Sequence, residues 1–271
     1  MNKNTPLGTC HPKRHVILNP RLRGGKLREA SQKQNDEILR YTQNDKGGFT
    51  LVEVSIVMVI IGLILAGVVK GRGLLRSAAV TSVIKDVQEY QYAVEVFSDK
   101  YSALPGDFNN TDANTTWPVE TPGGGDGDGQ IAISGEDVLA WRHLQLAEMI
   151  AGNYTGALDG TAVTPGVNLP ESKIDTAGYW LRFFGAVFTT TNRHFFVFGT
   201  KSADFLDGAI VSAPEAWSID QKIDDGEAAT GDVMTQDGSG VTGCLDLTPT
   251  PNEYNLTTEL IRCQMFFLVN Q

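Results

Sequence analysis

Sixteen consecutive residues, 54–69, carry no charge, and Ser55 is their only polar side chain. With residues 49–53 in front, the segment is 21 residues long. At the rise of an α-helix that is about 31 Å, the thickness of a bilayer's hydrocarbon layer. Its Val, Ile, Leu and Met, with Gly62, Ala66 and Gly67 among them, are the composition of a membrane helix. One residue departs from the pattern. Glu53 places a carboxylate inside the apolar segment, and a charge there is expensive unless it has a partner or reaches the lipid surface.

Charge divides the 271-residue chain at this segment. Residues 1–48 hold ten Lys/Arg against four Asp/Glu, whereas residues 49–271 hold twelve against 28. An acidic bulk repels phosphates and argues against nucleic-acid binding. The leader, residues 1–45, lacks the apolar core of a secretory signal. Its text around His11-Pro12-Lys13-Arg14-His15 resembles translated dispersed repeats of bacterial genomes, so a misplaced start or an in-frame repeat is expected there.

The stretch Lys46-Gly47-Gly48-Phe49-Thr50-Leu51-Val52-Glu53 resembles the cleavage and methylation signal of type IV pilins and type II secretion pseudopilins. The resemblance implies that a prepilin peptidase cuts between Gly48 and Phe49 and methylates the new amino terminus at Phe49. Residues 1–48 are then a removed leader. Glu53 becomes the fifth residue of the mature chain and the assembly contact, paired with the amino terminus of a neighbouring subunit. Chemically, the cut places a cationic amine one helical turn from Glu53, and carboxylate and ammonium each lower the other's desolvation cost. The implied location is the inner membrane, single-pass, with the head outside the cytoplasm and the filament in the periplasm or at the cell surface. The implied partners are prepilin peptidase, other pilin subunits and the membrane.

Beyond the span, Val80, Val83, Ile84, Val87, Tyr90, Val94, Phe97 and Tyr101 recur every three or four residues, an amphipathic stripe. Pro105-Gly106-Asp107 ends the pattern. Gly62, Gly67, Gly71 and Gly73 mark a soft stretch, and Lys70, Arg72 and Arg76 are expected at the outer membrane–water boundary. The domain reading is a leader at 1–48, a transmembrane and filament-core helix at 49–70, its amphipathic continuation at 71–104, and an α+β head at 105–271. The expected fold is α+β and pilin-like, a long amino-terminal helix on a small antiparallel sheet with long loops.

Within the head, residues 105–135 read as a loop rich in Asn, Asp, Gly and Thr. Asp126, Asp128, Gly129 and Ile131 match the third, fifth, sixth and eighth places of an EF-hand loop, but Gly124 stands first, Gly135 twelfth, and Glu136 one place late. Asp126, Asp128 and Glu136 are therefore a calcium set set against a solvated acidic turn. Ser134-Gly135-Glu136-Asp137 starts a helix to Ile150, with His143 on it as a partly buried polar contact. A hairpin follows, with strands from Tyr179 and from His194 joined by residues 190–193, then a strand at 208–211 and a short helix at 214–220. The acidic residues of 219–233 read as loop caps in preference to metal ligands. Residues 244–247 and 261–269 close the chain as short strands. Cys10 lies in the leader, which leaves Cys244 and Cys263, 19 residues apart, as a disulfide in an exported head.

No catalytic constellation is present in the mature sequence, which has only His143 and His194 and no metal-spaced Cys/His set. A structural filament subunit and a low-copy tip adhesin using its head-domain loops are the two readings carried forward.

Overall fold

The computed structural model describes residues 48–133, 135–174, 176–185, 192–246 and 252–270. The leader with Cys10, Lys46 and Gly47, Ser134, residues 186–191 and Leu247 lie outside the described residues, as do the side chains of Lys70 and Arg72. The chain divides into two compact units, Met1–Ala66 and Gly67–Gln271. Helix α1 runs from Leu51 to Tyr101 without a break at any of its glycines.

In the first unit the described helix side chains are exposed: Leu51, Met58, Leu63 and Leu65 are each at least 60% exposed. In the second unit α1 is one-sided. Val83, Val87, Val94 and Phe97 are fully buried, and Val80 and Ala93 nearly so. Ile84, Tyr90 and Tyr101 pack on the edge of the same core.

That stripe meets a six-stranded antiparallel sheet. Strands β1 (Ala177–Phe184) and β2 (Arg193–Ser202) form the expected hairpin, in the register Tyr179 to Phe198 and Leu181 to Phe196. β8 (Ile261–Leu268) pairs with β2 at one end, Phe196 facing Phe267. At the other end the two separate. β3 (Phe205–Gly208) pairs with β2 and β4 (Val211–Ser212) pairs with β8, so this segment wedges between them. β5 (Val233–Asp237) flanks the other side of β8. A two-stranded sheet of β6 (Leu245–Asp246) and β7 (Glu253–Tyr254) stands apart.

Strand side chains alternate between faces. Tyr179, Leu181, Phe196, Phe198, Met265 and Phe267 therefore share the face that meets α1, where Tyr90 packs edge-on against Tyr179 and Trp141. Both sheet edges are covered by loop backbone or side chains. Phe183 donates to the Ile131 carbonyl on the β1 side, and Thr235 donates to the Ala228 carbonyl on the β5 side.

Helix α2 (Asn110–Thr116) lies in a segment read from sequence as pure loop. Asn109 caps it by accepting from Thr111 N–H, and Ala113 is its buried anchor. Helix α3 (Glu136–Leu146) stops short of the expected Ile150, where Glu148 turns into the left-handed region at φ 60°. Its N-cap is Gly135, with no side-chain cap bond. Helix α4 (Ala213–Ile223) starts at a capping box of Ser212 and Glu215 with Pro in its first turn. Arg76 of α1 reaches this box, donating to both Glu215 carboxylate oxygens and to the Ile210 carbonyl. Burial works against the Glu215 charge, but Arg76 and Ser212 outweigh it and hold the carboxyl below its usual range.

Candidate functional site: the start of the apolar helix

Gly48, Phe49 and Thr50 lie outside any helix or strand and are exposed ahead of α1, with Phe49 at 85%. A Cβ built at Gly48 meets nothing within 4 Å. An open, unbranched backbone is what a protease cleft requires.

Thr50 and Glu53 then start the helix together. Glu53 Oε2 accepts from the Thr50 backbone N–H at 2.8 Å and from its hydroxyl at 2.9 Å. The Glu53 N–H donates to Thr50 Oγ1 at 3.2 Å. This is a reciprocal capping box, which satisfies amide groups that a helix start leaves unpaired. Sequence reasoning gave Glu53 only an assembly role and missed Thr50, although the Thr-x-x-Glu spacing was there to be seen. Past it, the 18-residue stretch of highest hydropathy in α1 averages 2.7, and none of it is buried within the chain. Among the described residues α1 is the one helix long and apolar enough to cross a membrane.

The acidic loops of the head are placed differently from the sequence reading. Asp107, Asp126 and Asp128 bring carboxylate oxygens within 4.8 Å of one another. Asp107 is nearly buried and accepts from the amides of Gly127, Asp128 and Gly129 at 2.7–3.1 Å. Glu136 accepts from the Asp126 and Ala132 amides at 3.1 and 2.9 Å, fixing the loop to the start of α3. Burial raises both the Asp107 and Glu136 carboxyls. A Cβ at Gly125 would lie 2.5 Å from Glu136 Oε1, so this approach needs glycine. Asp107 was missed because it lies some 20 residues upstream of the loop it organises, with no local spacing to reveal it.

A second cluster joins Asp220, Asp224 and Asp225. Asp220 is buried and takes the Tyr254 hydroxyl at 2.7 Å and the Gly226 amide at 3.2 Å; burial pushes its carboxyl up to about 6. Asp224 accepts from the Asp232 and Val233 amides, and Asp225 from Glu227 and Thr230. These are loop-capping roles. Cys244 and Cys263 are joined as a disulfide with Cα atoms 5.0 Å apart, fastening the residue that leads into β6 to β8.

His143 is fully buried, not partly as expected. Its Nδ1 accepts from Gly106 N–H at 3.0 Å and its Nε2 lies 3.0 Å from the Gly123 carbonyl. Its ring lies nearly parallel to that of Phe97 at 6.2 Å between centroids and to that of Trp117 at 5.6 Å, the three rings forming one cluster. Burial lowers it to about 4, so it is a neutral strut between two loops. His194 is also buried, with Nε2 accepting from Ile131 N–H at 3.0 Å.

Residues 43–69 match the family model described as the prokaryotic N-terminal methylation motif. No curated protein and no solved structure matches the chain. The matched residues contain Gly48, Phe49, the Thr50–Glu53 box and the apolar run to Val69. The chain carries the signal of type IV pilin and pseudopilin precursors on an α+β body with one membrane-length helix.

Proposed function

We propose that this protein is a structural subunit of a bacterial type IV pilus or type II secretion pseudopilus. It is made as a precursor and held in the inner membrane by α1 with its head outside the cytoplasm. Prepilin peptidase cuts between Gly48 and Phe49 and methylates Phe49, and the subunit then assembles through its helix. The observation that carries this reading is the apolar half of α1. It begins at an open cleavage signal, is exposed on every side, and continues as the one helix whose second half is the spine of the head's core. Such a segment needs partners outside its own chain, first lipid and then the helices of neighbouring subunits.

Glu53 serves two steps in this scheme. Before cleavage its carboxylate caps the helix through Thr50. After cleavage the Phe49 amine of a neighbouring subunit supplies a cation for the same carboxylate in an apolar filament core. Glu53→Ala is expected to leave cleavage intact and to cut incorporation into sheared filaments severely. Normal incorporation of the variant would refute the pairing.

A second reading is a low-copy minor pilin or adhesin at the filament tip. What favours it is a head with two long irregular excursions, residues 117–135 and 147–176, more surface than a repeating shaft needs. Counting this chain against other subunits in the same sheared filaments separates the two. High copy number supports the shaft, and one or a few copies per filament supports the tip.

A further inference from the structure

Half of the excess negative charge of residues 49–271 sits in one stretch of the head. Residues 213–262 hold ten Asp/Glu against two Lys/Arg, a net of −8 within a net of −16. Several of these carboxylates are engaged in the fold. Glu215 takes Arg76, Asp220, Asp224 and Asp225 cap their loop, and Asp237 accepts from Cys244 N–H at 2.7 Å. Glu227 and Glu253 differ. Both are exposed, and neither has an ion-pair partner among the described residues. Glu227 accepts one long bond, 3.5 Å, from the Thr230 hydroxyl.

These two residues come from different elements and line one cavity of about 380 Å³. Glu227 lies in the loop after α4, and Glu253 opens β7. Trp217 of α4, partly exposed and packed against the core, shares the lining with Ala228, Ala229 and Leu256. Among the described residues, no Lys or Arg lines it. Tyr254, also in the lining, is held in place. Its hydroxyl donates to Asp220 Oδ2 at 2.7 Å and lies 2.9 Å from Thr235 Oγ1. A wall ordered before any ligand arrives lowers the cost of binding.

Two carboxylates without a counter-charge repel an anion and favour a cation. A bare divalent ion fits poorly, because neither glutamate belongs to a group of three metal-ligating side chains and an indole offers such an ion no oxygen. A cation with an apolar body uses the whole lining. Tryptophan is the best aromatic partner for a cation, and a planar, weakly hydrated guanidinium both stacks on it and forks to carboxylates. The methylene stem of an arginine matches Ala228, Ala229 and Leu256. The α-carboxylate of free arginine would be opposed by the same field, whereas an arginine inside a polypeptide has none. The volume is at the small end of ligand pockets, enough for one such side chain.

We propose that this cavity receives the guanidinium of an arginine carried by a partner polypeptide. The guanidinium stacks on Trp217 and donates to Glu227 and Glu253. This goes beyond the assembly reading and stands whether or not the chain polymerises.

The test uses the full chain in micelles of an uncharged detergent, with the Trp217 indole N–H followed by NMR. Nα-acetyl-arginine methylamide, its lysine and citrulline counterparts, and free arginine are titrated in turn. The blocked arginine is expected to shift the Trp217 signal saturably. The lysine compound and free arginine should each bind about threefold more weakly or less, and the neutral citrulline compound should give no saturable shift. Glu227→Gln and Glu253→Gln should each weaken the blocked arginine about threefold. Both residues are exposed, and unmoved Trp141 and Trp180 indole signals confirm that each variant keeps its fold. The proposal is overturned if the blocked arginine gives no saturable shift, if citrulline or lysine binds as tightly, or if both variants bind as the parent does. Equal binding of free arginine overturns the polypeptide as its source.

Discussion

The two halves of α1 are built from the same residue types and have opposite fates. Val54 in the first half is 46% exposed, whereas Val83 in the second is fully buried. Ile60 lies open, while Phe97 is enclosed by Tyr101, Phe108, Trp117 and His143. What differs is the spacing of what stands between them. In the second half polar residues such as Lys85, Asp86 and Glu89 confine the apolar ones to one stripe, which the sheet complements. In the first half nothing confines them, and among the described residues none covers them. On the function proposed above, lipid, peptidase and neighbouring subunits shape the first half, whereas the head itself shapes the second.

The sharpest test of this contrast is a pair of truncations. Phe97→Ala should destabilise the head by about 3–5 kcal/mol, as large-to-small changes in a packed core do. Ile60→Ala should leave head stability within about 0.5 kcal/mol. Urea unfolding followed by tryptophan fluorescence reads both, and equal effects would erase the distinction between the halves. Next in size is the disulfide. Replacing Cys244 and Cys263 together with Ser opens a closed loop of 19-residue separation and should cost about 3 kcal/mol in the chain-entropy model. Processing at Gly48 should be unaffected, which a blot for the cleaved form checks.

A smaller effect concerns pH. Burial lowers His143 to about 4, while an unfolded histidine titrates near 6.5, so the unfolded chain takes the proton first. Stability from this group is complete above that unfolded value and is lost as pH falls toward the folded one. Between pH 7 and 5 the parent should lose about 2 kcal/mol more head stability than His143→Asn. Asp220, raised to about 6, works in the opposite direction in the same window, so the difference between parent and variant is the quantity to measure. Parallel pH profiles for the two would show that His143 is not the titrating strut.

Legibility in the sequence followed the same division. The stripe from Val80 to Tyr101 and the aromatic strands β1, β2 and β8 were readable because periodicity and composition act locally. β5 was missed: Val233-Met234-Thr235-Gln236-Asp237 is short, follows an acidic loop, and owes its extended form to pairing with β8. α2 was missed because Asn-Thr-Asp-Ala-Asn-Thr-Thr is a poor helix former, held by the Asn109 cap and by burial of Ala113. At the candidate site the residues were all visible, but the capping role of Glu53 was not. A carboxylate in an apolar run draws attention to distant partners, and the nearer one, Thr50, was three residues away. A cavity behind β1 was invisible for another reason. It is lined by residues of five strands, and only their register brings Arg182 and Asp207 into one lining.

The central claim is that the molecule's first functional event happens at the Gly48–Phe49 bond, and the mass of the protein recovered from cells that make the peptidase tests it most directly. The account predicts a chain beginning at Phe49, with one methyl group on its amine and residues 1–48 removed. A chain that retains Gly48, begins at another residue, or carries no methyl group at Phe49 would contradict it.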